Sequence, residues 1–276
     1  GLRFDYLSLA LCYADIRLFR RVMVFDHSMG LLTSAVALKL QGTGKIFRIS
    51  QVAMSSKIMR EAPLSPAMLA TIETLPLDLL DSDDPSNTEV FSPSLDGIAA
   101  EPPKKRPHKN PKVENSTVVE STNESLSGET FNEDSTNRET PTSSYSERLS
   151  TIDDLQTNGV NAFIGVFSSH RYYDKLQELQ DLIERCLSIA HRYLQPDGKL
   201  VLFCGNMQPL AACQAFLHTT TEYLHIKFEE VFLREHQILP YRSHPIMRGS
   251  TRLVEGFLLS AIKVEKHAPR LGKVYQ

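Results

Sequence analysis

The pattern of apolar and polar positions is clearest near the amino terminus of the chain. Residues 22–25 form a short apolar run of strand length, and residues 26–30 form a polar turn. Residues 31–40 then carry apolar side chains at helical spacing, and two glycines end that helix. A second apolar strand follows at residues 46–49. This order of elements predicts the opening βαβ unit of a doubly wound α/β fold.

The turn between the first strand and the helix lacks what a bound nucleotide requires. A nucleotide-binding turn has the form acid-x-Gly-x-Gly-x-Gly, because the backbone must approach the ligand closely. Here the acid and the three glycine positions are occupied, in order, by Asp26, Ser28, Gly30 and Leu32. Arg48 or Ser50 stands where an acid would hold the ribose hydroxyls. We therefore predict a Rossmann-like domain that has lost its nucleotide.

Strand-like and helix-like segments return after residue 159. Buried-type strands and amphipathic helices alternate at residues 162–167, 174–193, 199–204 and 209–219. Residues 226–233 and 257–264 are two further strands, joined by a loop without a helix. Strands joined in this way pair antiparallel, and class I methyltransferases add such a pair to the Rossmann plan. We predict a degenerate α/β fold of that class, with a mostly parallel sheet and a C-terminal antiparallel strand pair.

Residues 81–158 differ in kind from the segments on either side, because Ser, Thr, Asn, Glu and Pro dominate them. Such a segment cannot bury enough apolar surface to offset its ordering entropy, so we predict a long disordered insertion. It divides one domain into a first half at 1–80 and a second half at 159–265, followed by a tail at 266–276. The proline at position 76 also predicts that the third strand is weak or missing.

A basic tract, KKRPHKNPK, occupies residues 104–112 inside the predicted insertion. Such tracts serve as nuclear-import signals or as transient RNA contacts, but they also act simply as solubilising charge clusters. The whole chain has a net charge of −3, which is no basic signature for nucleic acid. Any RNA contact is therefore expected to be local or shared with a partner.

Other classes of site find little support in the sequence. The four cysteines have no metal-ligand spacing, so we predict no metal. No apolar run approaches the roughly 20 residues that cross a bilayer, so we predict no membrane contact. Ser168 and His170 follow a strand, but no acid or glycine elbow accompanies them. We assign no catalytic residue.

The most distinctive loop covers residues 234–252. It contains four arginines and two histidines around a single acid, and Gln237 and Tyr241 add hydrogen-bonding and stacking surfaces. One interpretation is an RNA contact, because phosphate binding favours arginine, and tyrosine or histidine can stack on bases. The other is a solvated loop whose arginines pair with nearby carboxylates.

The same loop carries a family resemblance. Residues 236–245, HQILPYRSHP, followed by GFLLSAIKV at 256–264, resemble the C-terminal signature of the non-catalytic subunit of eukaryotic tRNA adenine-58 N1-methyltransferase. LRFDYLSL at 2–9, ADIR at 14–17 and VFDHSMGLL at 24–32 look like the start of that subunit's Rossmann-like domain. In this chain the Ser-His-Pro string leads into RGSTRL, whereas relatives carry a glycine run there.

The resemblance implies a function. The family pairs a catalytic subunit that binds S-adenosylmethionine with a paralogue that keeps the fold without the cofactor. The two subunits form a heterodimer that assembles into a heterotetramer, which holds tRNA in the nucleus. The region around the last two strands contributes to the tRNA surface in this family. We therefore expect a non-catalytic, tRNA-binding subunit, whose candidate RNA-binding residues are Arg171, Arg234, Gln237, Arg242, His244 and Arg248.

Three alternatives remain open from the sequence. An active S-adenosylmethionine-dependent RNA methyltransferase with an atypical cofactor turn is disfavoured by Ser28 and Leu32. A nicotinamide-dependent oxidoreductase is disfavoured by the terminal strand pair and by the missing ribose acid. A Rossmann-fold protein–protein adaptor would have no RNA role, and charge reversal of the loop arginines would leave its partners' tRNA affinity unchanged.

Overall fold

The computed structural model describes residues 2–51, 54–81, 145–168, 176–230, 236–245 and 256–265. The helices there are α1 Phe4–Tyr13, α2 Leu31–Leu40, α3 Lys57–Glu61, α4 Pro66–Ala70, α5 Leu77–Asp81, α6 Tyr145–Asn158, α7 Leu176–Tyr193 and α8 Met207–Thr219. The strands are β1 Arg21–Asp26, β2 Lys45–Ser50, β3 Ile72–Pro76, β4 Val160–Phe167, β5 Leu194–Cys204, β6 Tyr223–Glu230, β7 His236–Leu239, β8 Arg242–Pro245 and β9 Phe257–Lys263.

Seven of these strands form one sheet in the order β3-β2-β1-β4-β5-β9-β6. Neighbouring strands from β3 to β5 pair parallel, whereas β9 is antiparallel to both β5 and β6. The predicted class of fold is confirmed, including the terminal antiparallel pair. The predicted strand–helix alternation is also confirmed, because β1, α2 and β2 follow one another as expected.

Both faces of the sheet are buried. On β1, Val22 and Val24 pack with residues of α1 and α2, whereas Met23 and Phe25 pack with residues of α5 to α8. A parallel sheet covered on both faces needs strands that are apolar throughout, which explains the unbroken apolar run of β1. The chain therefore forms three layers, with helices on either side of the sheet.

The prediction of a weak or missing third strand is wrong. β3 pairs parallel with β2 from Ile72 to Pro76, and it lies at the edge of the sheet. Pro76 is the last residue of the strand. Its missing N–H therefore does not interrupt the hydrogen bonds between β3 and β2. A proline at the end of an edge strand is therefore compatible with a complete Rossmann-like half.

The predicted insertion is also wrong over residues 145–158, which form α6. Leu155 is fully buried in the core, and Ile152 packs against that core. Asp154 binds Arg21 Nη2 at 3.0 Å and Lys45 Nζ at 3.2 Å. The composition of the whole segment did not predict this helix, because only a few of its side chains anchor it to the core. The first residue of the predicted insertion, Asp81, is the last residue of α5, and residues 82–144, including the basic tract, lie outside the described residues.

Candidate functional site

Two features follow strands that end at the carboxyl edge of the parallel sheet, where α/β folds bind their ligands. The first is the turn that joins β1 to α2, which we call the β1 turn and define as residues 26–32. The second is the hairpin formed by β7 and β8, which lies between the end of β6 and the start of β9. Because β6 runs parallel to β1 and β9 runs antiparallel to it, β6 ends and β9 begins at the edge that carries the β1 turn, so the chain leaves and re-enters the sheet there.

The carboxylate of Asp26 is saturated by the β1 turn itself. Its Oδ1 accepts hydrogen bonds from the backbone N–H of Ser28, at 2.8 Å, and from the Ser28 hydroxyl. Its Oδ2 accepts from the N–H and the hydroxyl of Thr33, both at 2.8 Å. Thr33 lies in the first turn of α2, where the helix dipole also favours a carboxylate. A glycine in place of Ser28 could not donate the hydroxyl, so this substitution holds the acid within the turn.

The remaining glycine of the turn is covered by α3. Gly30 has φ +89°, and a Cβ added to it would lie 2.6 Å from Met59 Cβ and 3.1 Å from Met59 N. The backbone N–H of Ile58 donates to the carbonyl of Met29 at 3.0 Å, which fixes α3 on the turn. In a nucleotide-binding turn, a glycine lets the backbone approach the ligand. Here the same freedom lets α3 approach the turn.

Leu32, at the third glycine position, has a different role. Its side chain is fully buried and belongs to the core between α2 and the sheet. A glycine here would leave a cavity in that core. The substitutions at the β1 turn therefore contribute to packing and hydrogen bonding within the chain.

Two basic side chains are buried near the β1 turn. Arg48 is only 5% exposed, and its Nε and Nη2 donate to no described residue. Burial lowers the pKa of the Arg48 guanidinium, an effect that the Asp26 carboxylate opposes. Burial likewise lowers the pKa of His27 to about 4, against the opposing effects of Asp26 and Gln51. At neutral pH this end of the sheet therefore holds a neutral imidazole and a buried guanidinium cation.

The second expected ribose position is also engaged within the sheet. The Ser50 hydroxyl donates to the carbonyl of Leu75 at 3.3 Å, which links the ends of β2 and β3. Arg48 has no acceptor atom on its side chain, and Ser50 has a single neutral hydroxyl oxygen in place of the two oxygens with which a carboxylate accepts from both ribose hydroxyl groups. At the position of the missing ribose acid, the structure therefore places a buried guanidinium on Arg48 and a hydroxyl on Ser50 that bonds to the neighbouring strand.

The hairpin lies within the loop predicted at 234–252. β7 and β8 pair antiparallel as a separate two-stranded sheet, with Pro240 and Tyr241 in the connecting turn. Tyr241 has φ +68° and is fully exposed. One signal for this hairpin was present in the sequence: a proline stands between two short runs of strand length. Proline favours the second position of a turn. The sequence prediction recognised the residues of the loop but missed its strand pairing.

The hairpin brings together three of the six candidate RNA-binding residues. Gln237 is directly opposite His244, and Leu239 is directly opposite Arg242. Because side chains alternate along a strand, Gln237, Arg242 and His244 project from one face of the hairpin. All three are exposed. Ile238 and Ser243 project from the opposite face. The remaining candidates, Arg171, Arg234 and Arg248, lie outside the described residues.

The described part of the chain shows neither a metal cluster nor a spanning helix. None of its groups of His, Cys, Asp and Glu has three or more members placed to hold a metal ion. None of the helices described above is both long enough and apolar enough to cross a membrane.

Comparisons with known proteins agree with this geometry. The model of the Gcd10p family matches residues 1–231. A tRNA (adenine(58)-N(1))-methyltransferase non-catalytic subunit of Dictyostelium discoideum is 27% identical over 271 residues, which cover 96% of this chain and 47% of that protein. Its Mus musculus namesake is 32% identical over 74 residues, which cover 26% of this chain and 14% of that protein. The chain spans about half the length of the Dictyostelium protein.

A solved structure supports the fold alone. The S-adenosylmethionine-dependent O-methyltransferase of Thermotoga maritima superposes with a TM-score of 0.52 at 11% sequence identity. The match covers 97% of this chain and 68% of that one. The architecture is therefore that of the class I methyltransferase fold.

Proposed function

The chain belongs to the Gcd10p family, and on that premise we propose that it is a non-catalytic, tRNA-binding subunit of a tRNA adenine N1-methyltransferase. Relatives that bear this description align with it, one of them over nearly its whole length. The observation that carries the proposal is the contact between Gly30 and Met59, because α3 lies where a cofactor would approach the turn. The subunit supports methylation that a catalytic paralogue performs.

The residues of the β1 turn do not fit S-adenosylmethionine. The Asp26 carboxylate already accepts four hydrogen bonds from Ser28 and Thr33. Arg48 places a buried positive charge near this turn, and the cofactor itself carries a sulfonium cation. Like charges that are poorly solvated repel strongly. We propose that this chain holds no cofactor, that it transfers no methyl group alone, and that the catalytic partner binds S-adenosylmethionine.

The proposed assembly follows the family resemblance. This subunit and its catalytic paralogue would form a heterodimer, and heterodimers would assemble into a heterotetramer that holds tRNA. We place the complex in the nucleus, where the basic tract at 104–112 would serve as an import signal. Support for this location comes from the sequence alone.

The proposed RNA surface is the polar face of the hairpin. Gln237, Arg242 and His244 project from it together, and all are exposed. An arginine offers bidentate donors to phosphate, whereas glutamine and histidine can bond base edges or stack on bases. Arg171, Arg234 and Arg248 complete the proposed set. Phosphate contacts would position the tRNA and leave the choice of base to the catalytic subunit.

A calorimetric titration tests the absence of a cofactor. We expect no heat when S-adenosylmethionine is titrated into this chain alone, and one bound cofactor per heterodimer once the catalytic subunit is present. The catalytic subunit alone serves as the control for cofactor quality. Micromolar binding by this chain alone would favour the active-enzyme alternative, and it would require α3 to leave the β1 turn.

A further inference from the structure

The guanidinium of Arg48 is a buried cation without a hydrogen-bond partner among the described residues. The residue is only 5% exposed, and its buried Nε and Nη2 atoms donate to no described group. Arginine stays protonated in proteins, so the charge persists at physiological pH. A buried charge is costly unless it is paired and hydrogen-bonded, and buried polar groups without a partner are rare in native proteins. A partner from outside the described residues would remove that cost.

The two unpaired nitrogens lie on the same edge of the guanidinium. Nε and Nη2 direct parallel N–H bonds to one side of this planar group, and their spacing matches two oxygens of a carboxylate or of a phosphate. Such a pair of donors binds an oxyanion in bidentate fashion, with more energy and more geometric specificity than a single donor. The part of Arg48 that lacks a partner is therefore the part that recognises oxyanions.

The nearby acid does not occupy these donors. Burial lowers the pKa of Arg48, and the Asp26 carboxylate opposes that effect through its charge. Both oxygens of Asp26 are nevertheless bonded to Ser28 and Thr33. Among the described residues, no acid forms an ion pair with Arg48. Asp26 therefore offsets part of the buried charge and leaves the two N–H groups available to another anion.

Arg48 lies one strand in from the edge of the sheet. It is opposite Thr74 of β3, which is the edge strand. Residues paired in this register project from the same face, and Ile46 and Ile72, two positions earlier on the two strands, pack together in the core on that face. Thr74 is exposed, so the position beside Arg48 reaches solvent. The Thr74 hydroxyl can donate one more hydrogen bond to an anion there.

We propose that Arg48 and Thr74 form a binding site for a small oxyanion, the phosphate or carboxylate group of a free small molecule. Arg48 Nε and Nη2 bond two of its oxygens, and the Thr74 hydroxyl bonds it from the side of the edge strand. A small ligand is favoured over an RNA backbone because both nitrogens are buried. In some Rossmann folds an arginine near the end of this strand holds a phosphate. The buried cation that repels a sulfonium attracts such an anion.

The test is an anion titration of the full chain, followed by the NMR resonance of the Arg48 Nε–H group. This resonance is assigned by its absence in Arg48→Lys. Inorganic phosphate, malonate and tRNA are added separately at constant ionic strength, with chloride as the control anion. We expect phosphate or malonate to shift the resonance saturably, because a bidentate bond changes the surroundings of that proton. The tighter of the two shows whether the site prefers a phosphate or a carboxylate.

Two variants connect the binding to the proposed residues. Arg48→Lys keeps a charge but lacks the parallel donors, so affinity should fall about tenfold or more, measured from the anion-dependent rise in melting temperature. Thr74→Val removes one exposed hydroxyl, so the chain should fold normally and lose about threefold in affinity. Arg17→Lys makes the same change at an exposed arginine elsewhere and should leave anion affinity unchanged.

Several outcomes would overturn this inference. If neither phosphate nor malonate moves the resonance, the site does not exist. Equal anion affinity in Arg48→Lys would place the binding elsewhere, and equal affinity in Thr74→Val would show that Thr74 is not part of the site. A shift caused by tRNA but by neither small anion would make Arg48 an RNA contact, which also contradicts the proposal. The proposed function is tested separately, because none of these measurements involves the catalytic subunit or S-adenosylmethionine.

Discussion

The β1 turn and the hairpin both follow strands that end at the carboxyl edge of the sheet, but their polar groups are placed in opposite ways. The turn directs its donors and acceptors inward, so that Asp26 is saturated by Ser28 and Thr33 and Gly30 is covered by α3. The hairpin exposes Gln237, Arg242 and His244 along one face. Polar groups that bond within the chain stabilise it, whereas exposed groups remain available to a partner. Under the proposed function, the comparison would show how a fold can lose a small-molecule site and retain a surface for a macromolecule.

The largest effect should follow from substitution of the glycine in the turn. Gly30→Ala forces a left-handed φ on alanine and drives its Cβ into Met59, so the free energy of unfolding should fall by about 3 kcal/mol. Urea denaturation measures the change. In the double variant with Met59→Gly, the 2.6 Å clash with Met59 Cβ disappears, while the 3.1 Å approach to the backbone nitrogen of residue 59 and the strain at residue 30 remain. The two substitutions should therefore be non-additive by about 1 kcal/mol or more. Strict additivity would show that α3 does not press on the turn.

A smaller effect should appear as a pH dependence of stability. The buried His27 has a pKa lowered to about 4, whereas an unfolded histidine titrates near 6.5. The unfolded state therefore binds more protons below about pH 6.5, and the His27 contribution to stability, complete above that pH, is lost as the pH falls towards 4. We expect a loss of about 2 kcal/mol between pH 8 and pH 5.

The control for this pH dependence is His27→Gln, which cannot titrate. Its stability should fall less than that of the unsubstituted chain over the same range of pH, measured by urea denaturation at each pH. Parallel stability curves for the two proteins would show that the imidazole is not held neutral beside the turn.

The smallest free-energy change is expected at the hairpin, and it should appear in binding rather than in stability. Arg242→Glu alters an exposed side chain, so unfolding should change by less than about 0.5 kcal/mol. The tRNA affinity of the assembled complex should fall about tenfold, with a shallower dependence on salt. Ser243→Glu, on the opposite face of the same hairpin, should have a clearly weaker effect. Equal losses from both substitutions would favour a general charge effect, and no loss from either would favour an adaptor without an RNA role.

Local patterns accounted for the parts of the fold that depend on local physics. The βαβ opening followed from periodicity between residues 22 and 49, and the terminal pair β6–β9 followed from two strands without an intervening helix. β3 and α6 were missed because the formation of each depends on contacts with distant segments of the chain. Pro76 is tolerated at an edge, and α6 is held by Leu155 and Asp154 against distant residues.

The features of the candidate sites also divide into those that the local sequence shows and those that only the tertiary structure shows. The loss of glycines at Ser28 and Leu32 is visible in the sequence, and so is the cluster of polar residues at 236–245. That Gln237, Arg242 and His244 share a face required the register of the hairpin. The role of Met59 had no signal in the sequence, because nothing local marks a methionine that will pack on a glycine 29 positions earlier.

The sequence by itself determined that a strand, a turn and a helix follow one another at residues 22–40, and that the turn lacks two of the three glycines of a nucleotide-binding turn. Those properties depend on side-chain spacing and on backbone freedom at single positions, which are local. Only the tertiary structure decided what took the place of the lost ligand contacts. Contacts such as Met59 on Gly30 depend on how distant segments pack, and that packing is set by the whole core.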